Sequence, residues 1–101
     1  MERNRVKITE GMIQSSIRDF LRQFGWFVVR CQQGLGCHKG LSDLIAVKNG
    51  KTIFIEVKTP KGTQSPFQKQ FQKDVEQHGA VYILAKSLED IQHLEPGARL
   101  F

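Results

Sequence analysis

Asp43, Glu56 and Lys58 are the side chains whose types and spacing could do chemistry. Two apolar runs flank Asn49-Gly50, which is the strongest short signal for a two-residue type I′ turn between paired strands. Counting outward from that turn, Asp43 falls directly opposite Glu56, and directly opposed side chains share a face with Cβ atoms about 4.5–5.5 Å apart. Lys58 lies two residues beyond Glu56 and therefore on the same face.

Two carboxylates at this distance repel each other, and a cation between them removes the repulsion. Because the ligand atoms are all oxygens, Mg²⁺ suits the pair. Lys58 would add a hydrogen-bond donor or a proton-transfer group beside the metal. The alternative is that Asp43 ends a loop while Glu56 and Lys58 form a surface pair, but the register of the trio favours a catalytic or metal site.

The length of 101 residues predicts one compact domain over 1–101, with a basic arm at 1–8 and a tail at 94–101. A core this small would gain from a dimer interface. The net charge of +5 indicates an anionic partner, usually nucleic acid, although a merely solubilising surface would have the same charge. Without a signal peptide or a bilayer-length apolar run, we expect a cytoplasmic protein with no membrane partner.

The apolar spacing predicts two amphipathic helices that must position the acids. Thr9 caps the first helix, in which Glu10 projects from the buried side and either meets a partner or only complements the helix dipole. Ser65 caps the second helix, and Gln68 completes a capping box. The predicted inner stripe of this second helix is Phe67, Phe71, Val75 and His78.

The strand-like runs are apolar on both faces, so helices must cover both sides of the sheet. The predicted strands are 26–31, 42–48, 51–58 and 80–85, and a short capped helix follows at 87–93. The helix between the last two strands makes those strands parallel. The fold class is therefore α/β, a mixed sheet flanked by helices in the order α-β-β-β-α-β-α.

A zinc site in the glycine-rich loop is a weaker possibility. Cys31, Cys37 and His38 supply three soft ligands, one short of the closed four-ligand norm. In a reducing compartment we expect both thiols to be free.

The pattern of Ser42-Asp43, a strand, and then Glu56-Val57-Lys58 resembles the PD-(D/E)xK nuclease superfamily. The fuller pattern, from Glu10 to about Asp90, resembles the stand-alone VRR-NUC domain. It adds Gly25-Trp26 and a strand ending in Val-Val-Arg, Gly40-Leu-Ser-Asp, Asn49-Gly50, a run from Phe54 to Gly62, and Ser65-Pro-Phe-Gln. One departure is Ser42, which stands where the family usually has proline and should change the presentation of Asp43 only slightly.

The resemblance implies a restriction-endonuclease-like core and an endonuclease that uses Mg²⁺ or Mn²⁺, with no small-molecule cofactor. It implies a homodimer that cuts branched DNA such as Holliday junctions, and a small free-standing domain would fit a phage. The implied metal ligands are Glu10, Asp43, Glu56 and the Val57 carbonyl. Lys58 would be the signature lysine, and either helps to deprotonate water or stabilises the phosphoryl oxygens. Gln68 would be the glutamine that often follows, orienting Lys58 or a phosphate in addition to or instead of its capping role.

Four lysines surround the acids in the expected topology and are candidate phosphate contacts: Lys39, Lys61, Lys69 and Lys73. The alternative is a solvated basic face, which is the commoner fate of surface lysines. The competing function is a catalytically silent module with a nuclease-like fold that binds nucleic acid or another subunit. Intact, mutually repelling acids beside phosphates argue against such a module.

Overall fold

The computed structural model describes residues 7–97, so most of the predicted basic arm and the last four residues of the predicted tail lie outside the described residues. The elements follow the predicted order, with a 3₁₀ helix in place of the final α-helix. They are α1 (Glu10–Gln23), β1 (Phe27–Arg30), β2 (Leu44–Lys48), β3 (Lys51–Val57), α2 (Pro66–Gln77), β4 (Val81–Ala85) and the 3₁₀ helix (Leu88–Leu94).

The final helix differs from the prediction in type, and its expected cap does not form. The Ser87 side chain makes no capping hydrogen bond. Asp90 instead reaches back and accepts a hydrogen bond from the Lys86 amide at 2.8 Å. Short helical segments commonly take the tighter 3₁₀ form.

The β2–β3 hairpin has the predicted turn and register. Asn49 and Gly50 have φ of 51° and 78°, and positive values at both central positions define a type I′ turn. Lys48 pairs with Lys51, and the pairing continues without a bulge to Leu44 and Ile55. The alternation of inward and outward side chains along both strands is thereby fixed.

The four strands form one mixed sheet in the order β1-β2-β3-β4. Pairs β1–β2 and β2–β3 are antiparallel, whereas β3 and β4 are parallel, as the intervening helix predicted. Helix α1 and the 3₁₀ helix cover one face, and α2 packs on β4 at the other face. The predicted α/β class with helices on both faces is therefore confirmed. Within residues 7–97, neither helix has the length and apolar character needed to cross a membrane.

Two members of the predicted α2 stripe are not buried. Phe71 and Val75 pack with Tyr82 in the smaller core, but Phe67 is 55% exposed. Phe67 lies in the first turn of α2, where its backbone carbonyl lies against Gly40 and its ring contacts Lys39 Nζ, both in the loop before β2. His78 is exposed at the C-cap, and its Nδ1 lies 2.7 Å from the Asp74 carbonyl.

The predicted tail begins later than residue 94. Leu94 ends the 3₁₀ helix, and Glu95 accepts hydrogen bonds from Trp26 Nε1 and Lys48 Nζ, both at 2.8 Å. These contacts join the end of the described chain to β2 and to the residue before β1. No local sequence pattern indicates them, because the partners are 69 and 47 residues away.

Candidate active site

Asp43 and Glu56 lie side by side at the end of the hairpin that is remote from the turn. Leu44 pairs with Ile55, so Asp43 occupies the next position outward and stands across from Glu56. The Asp43 Oδ2 atom accepts a hydrogen bond of 2.7 Å from the Val57 amide, which fixes the carboxylate against β3. The predicted meeting of the two acids on one face is therefore present.

The backbone before β2 is held firmly where it presents Asp43. Cys31 donates its amide to the Asp43 carbonyl at 2.8 Å, which extends the β1–β2 pairing by one step. Ser42 is fully buried, and its hydroxyl donates to the Leu44 carbonyl at 3.1 Å. Proline could not make this bond, so serine at this position supplies its own anchor for the turn into β2.

Glu56 is a buried carboxylate that is only partly satisfied. It is 2% exposed, and its Oε1 atom has no hydrogen-bond partner among the described residues. Its Oε2 atom accepts from Gln68 Nε2 at 3.0 Å and lies 3.7 Å from Lys58 Nζ. Burial, and after it the Asp43 charge, raises the pKa of Glu56 from its ordinary 4.5 to about 8, while the Lys58 ammonium acts in the opposite direction.

Gln68 performs two tasks at the start of α2. Its Oε1 atom accepts from the Ser65 amide at 2.8 Å, and the Ser65 hydroxyl accepts from the Gln68 amide at 3.2 Å, which is the predicted capping box. Its Nε2 atom donates to Glu56. The side chain thus joins the helix N-terminus to the buried acid, and its contact is with Glu56 rather than with Lys58.

The residues around Glu56 fit a divalent cation. A buried oxygen without a donor, beside a second carboxylate that raises the pKa, is an arrangement that a cation would relieve. Mg²⁺ is typically held by one or two carboxylates together with substrate phosphates and waters. Asp43 and Glu56 provide two such carboxylates, while the Val57 carbonyl stays a predicted ligand.

Glu10 stands apart from this pair. It is exposed at the first position of α1, after the Thr9 cap. Its charge is the smallest of the influences on the pKa of Glu56, behind burial, Asp43 and Lys58. Across residues 7–97, no three His, Cys, Asp or Glu side chains are grouped closely enough to hold a metal. Glu10 therefore stays a predicted ligand.

The loop that carries Cys31, Cys37 and His38 likewise contains no group of metal-binding side chains within the described residues. Both thiols are free and half-buried. Burial raises the pKa of Cys31, and the nearby Asp43 charge acts in the same direction. The Cys37 sulfur lies 3.4 Å from the Gly34 amide, so this side chain closes its own loop.

The four candidate phosphate-binding lysines are all exposed. Lys39 lies with its Nζ 4.9 Å from the centroid of the Phe67 ring, at the N-terminal end of α2. Lys61 lies in the short turn after β3 and Lys58, while Lys69 and Lys73 lie along α2. Among the described residues, none of the four forms an ion pair with a carboxylate, so their charges are available to a ligand.

A polar cleft between α1, the end of β1 and the start of β2 was not anticipated from the sequence. It has a volume of about 170 Å³, and two arginines, Arg18 and Arg30, are among its lining residues. The sequence feature that could have indicated the cleft is the spacing of polar or small residues in α1, which places them on one helix face. That face meets the end of β1 only in the folded structure. The lining residues are Gly11, Gln14, Ser15, Arg18, Arg30 and Leu44.

Comparisons with known proteins agree with this architecture. A family model described as archaeal Holliday junction resolvase (Hjc) matches residues 11–89. Among solved structures, a chain described as "VRR_NUC domain" is similar with a TM-score of 0.74 and 21% identity, and the match covers 89% of this chain and 97% of that chain. At this identity the likeness shows the fold alone. No curated protein matches the chain.

Proposed function

The chain belongs to the archaeal Holliday junction resolvase family, and from that premise we propose that it is a divalent-metal-dependent endonuclease that cuts branched DNA, four-way junctions above all. The resemblance predicted from the sequence is confirmed: family and fold identify a nuclease of the resolvase-like superfamily. The observation that best supports metal-dependent cleavage is the buried Glu56 beside Asp43, with one carboxylate oxygen that accepts no hydrogen bond from the described residues.

Asp43, Glu56 and the Val57 carbonyl are the groups that would hold Mg²⁺ or Mn²⁺. When bound, the cation would activate a water molecule and offset the charge that develops on the phosphate. Gln68 keeps Glu56 in place through its 3.0 Å hydrogen bond. Lys58, 3.7 Å from the same oxygen, would either help to deprotonate the water or stabilise the phosphoryl oxygens.

Glu10 is the fourth proposed ligand. Its position at the start of α1 brings its charge within reach of Glu56, although burial and Asp43 affect that carboxyl more strongly. A role in the reaction would require Glu10 to contact the metal or its water only when the substrate is bound.

The DNA backbone is proposed to follow the basic side chains around the acids. Lys39, Lys61, Lys69 and Lys73 are exposed, and Arg18 and Arg30 line the neighbouring cleft. Each phosphate contact releases counterions, so the affinity should fall steeply as the salt concentration rises. A flat salt response would remove these residues from the proposed binding surface.

A homodimer would match a junction. The junction has two equivalent strands to be cut, and a twofold dimer has two equivalent sites to cut them. The edge strand β1 leaves Phe27 and Val29 68% and 40% exposed in a single copy, which supports pairing with a second copy. Light scattering at working concentration tests this step, and a monomeric mass would refute it.

The test of the function is a cleavage panel in Mg²⁺ and in Mn²⁺ over four-way junctions, flaps and linear duplexes. The wild-type protein should cut junctions preferentially, whereas Glu56→Gln and Lys58→Ala should bind the same DNA without cutting it. Undiminished cleavage by either variant would refute the assigned roles. A wild-type protein that binds and never cuts would be the silent binding module instead.

A further inference from the structure

The Phe67 ring lies exposed in the first turn of α2, next to Gln68 of the candidate active site. The side chain is 55% exposed, and the next residue, Gln68, reaches the buried Glu56 through its amide. Single exposed apolar side chains are common on protein surfaces, so exposure alone carries little meaning. The position of this ring, one residue from a side chain that holds the candidate metal ligand, gives it significance.

The backbone that carries the ring is held from two sides. Pro66 and the Ser65–Gln68 capping box fix the first turn of α2. On the other side, Gly40 has φ of +80°, and a Cβ built there would lie 2.1 Å from the Phe67 carbonyl oxygen. The glycine therefore allows the loop before β2 to lie directly against Phe67. A ring presented by so rigid a turn loses little entropy when it binds a ligand.

A cation accompanies the ring. Lys39 Nζ lies 4.9 Å from the ring centroid, within the range of a cation–π contact. Aromatic rings beside cationic groups are the usual means by which proteins hold unpaired nucleotides, with the base on the ring and the phosphate on the cation. Phe67 and Lys39 together have this composition, and both adjoin the loop that presents Asp43.

We propose that Phe67 stacks on an unpaired or unstacked nucleobase next to the scissile phosphate, and that this contact favours branched DNA over linear duplex. In a continuous duplex each base is covered by its neighbours on both faces, whereas a base at a branch point loses such cover and can stack on a side chain. The inference rests on the proposed function insofar as the acids mark where the scissile phosphate lies.

The test measures binding in EDTA, so that cleavage does not intervene, by fluorescence anisotropy with a four-way junction and a matched linear duplex. Phe67→Ala removes the ring, Phe67→Trp retains an aromatic surface, and Val81→Ala is the control because Val81 is also an exposed apolar side chain, on β4 and away from the proposed dimer contact on β1. Phe67→Ala should weaken junction binding about 5- to 150-fold, the range expected for one stacked base, and leave duplex binding unchanged. Phe67→Trp and Val81→Ala should bind the junction as the wild type does.

An abasic scan of the branch point identifies the partner base. Removing the stacked base should weaken binding by the wild-type protein and have no further effect on Phe67→Ala, since the two changes delete the same interaction. Equal losses of affinity on junction and duplex, or additive losses at every position, would overturn the proposal. So would a smaller particle mass for Phe67→Ala, which would assign the ring to a dimer interface.

Cleavage, measured separately, distinguishes this proposal from the one on which it rests. A protein that shows the stacking pattern but cuts no DNA refutes the endonuclease and keeps the base contact. A protein that cuts junctions equally well with and without the Phe67 ring refutes the base contact alone.

Discussion

Replacing Glu56 with glutamine should stabilise the metal-free protein, and the gain should grow with pH. Burial and then the Asp43 charge raise the pKa of Glu56 from 4.5 to about 8, so the folded protein retains a proton that the unfolded chain releases. The stability contributed by the protonated carboxyl is complete below pH 4.5 and is lost as the pH rises towards 8. Glutamine, which is always neutral and has the same shape, does not lose it.

The separation of the two pKa values corresponds to about 5 kcal/mol at 1.36 kcal/mol per unit, reached above about pH 8, and to about 3 kcal/mol at pH 7. These figures are upper limits, because relaxation and water penetration reduce the cost of burying a charge. They are large beside the total stability of about 5–15 kcal/mol that is typical of a small domain. The effect should therefore be visible in ordinary unfolding curves.

The assay is urea unfolding in EDTA from pH 5 to pH 9, comparing wild type with Glu56→Gln. Glu76→Gln is the matched control, because Glu76 is exposed and its hydrogen bond from Gln72 survives the change. The wild-type free energy of unfolding should fall with pH relative to Glu56→Gln, and Mg²⁺ should restore part of the loss. A difference between the two proteins that does not vary with pH would refute the reasoning.

Three further predictions follow from the same region of the structure. Gln68→Ala should reduce cleavage of junction DNA more than Ser65→Ala does. Both variants lose the capping box, at a cost of about 1 kcal/mol, but only Gln68→Ala removes the hydrogen bond to Glu56. Equal reductions in a cleavage assay would contradict this. Gly40→Ala should lower the thermal unfolding midpoint, because the new Cβ would lie 2.1 Å from the Phe67 carbonyl, whereas Gly36→Ala, with positive φ but no atom within 4 Å, should cost less. Replacing Lys39 and Lys61 with alanine should reduce the slope of log affinity against log salt by about 1 for each phosphate that the lysines neutralise; an unchanged slope would exclude them.

Much of the site was predictable because its geometry is set by local signals. The Asn49-Gly50 turn fixed the register that brings Asp43 opposite Glu56. Ser65 and Gln68 specify their capping box by their spacing alone. Such features depend on only a few neighbouring residues, so the sequence contains nearly all the information that determines them.

The remaining features depend on how separate layers of the fold meet. Phe67 has the helical spacing of a core residue, but the first turn of α2 leaves its ring outside the core. The cleft with Arg18 and Arg30 exists only where α1 crosses the end of β1. Helical periodicity indicates which residues share a face and does not indicate where the covering sheet ends.

The central claim, that Asp43 and Glu56 hold a divalent cation, is tested most directly by calorimetric titration of Mn²⁺ into the protein at pH 7. Two buffers of different ionisation enthalpy report the number of protons released. A Glu56 carboxyl with a pKa of about 8 is mostly protonated at pH 7, so binding should release close to one proton, and Glu56→Gln should bind far more weakly and release none. Equal Mn²⁺ affinity and equal proton release for the two proteins would contradict the account.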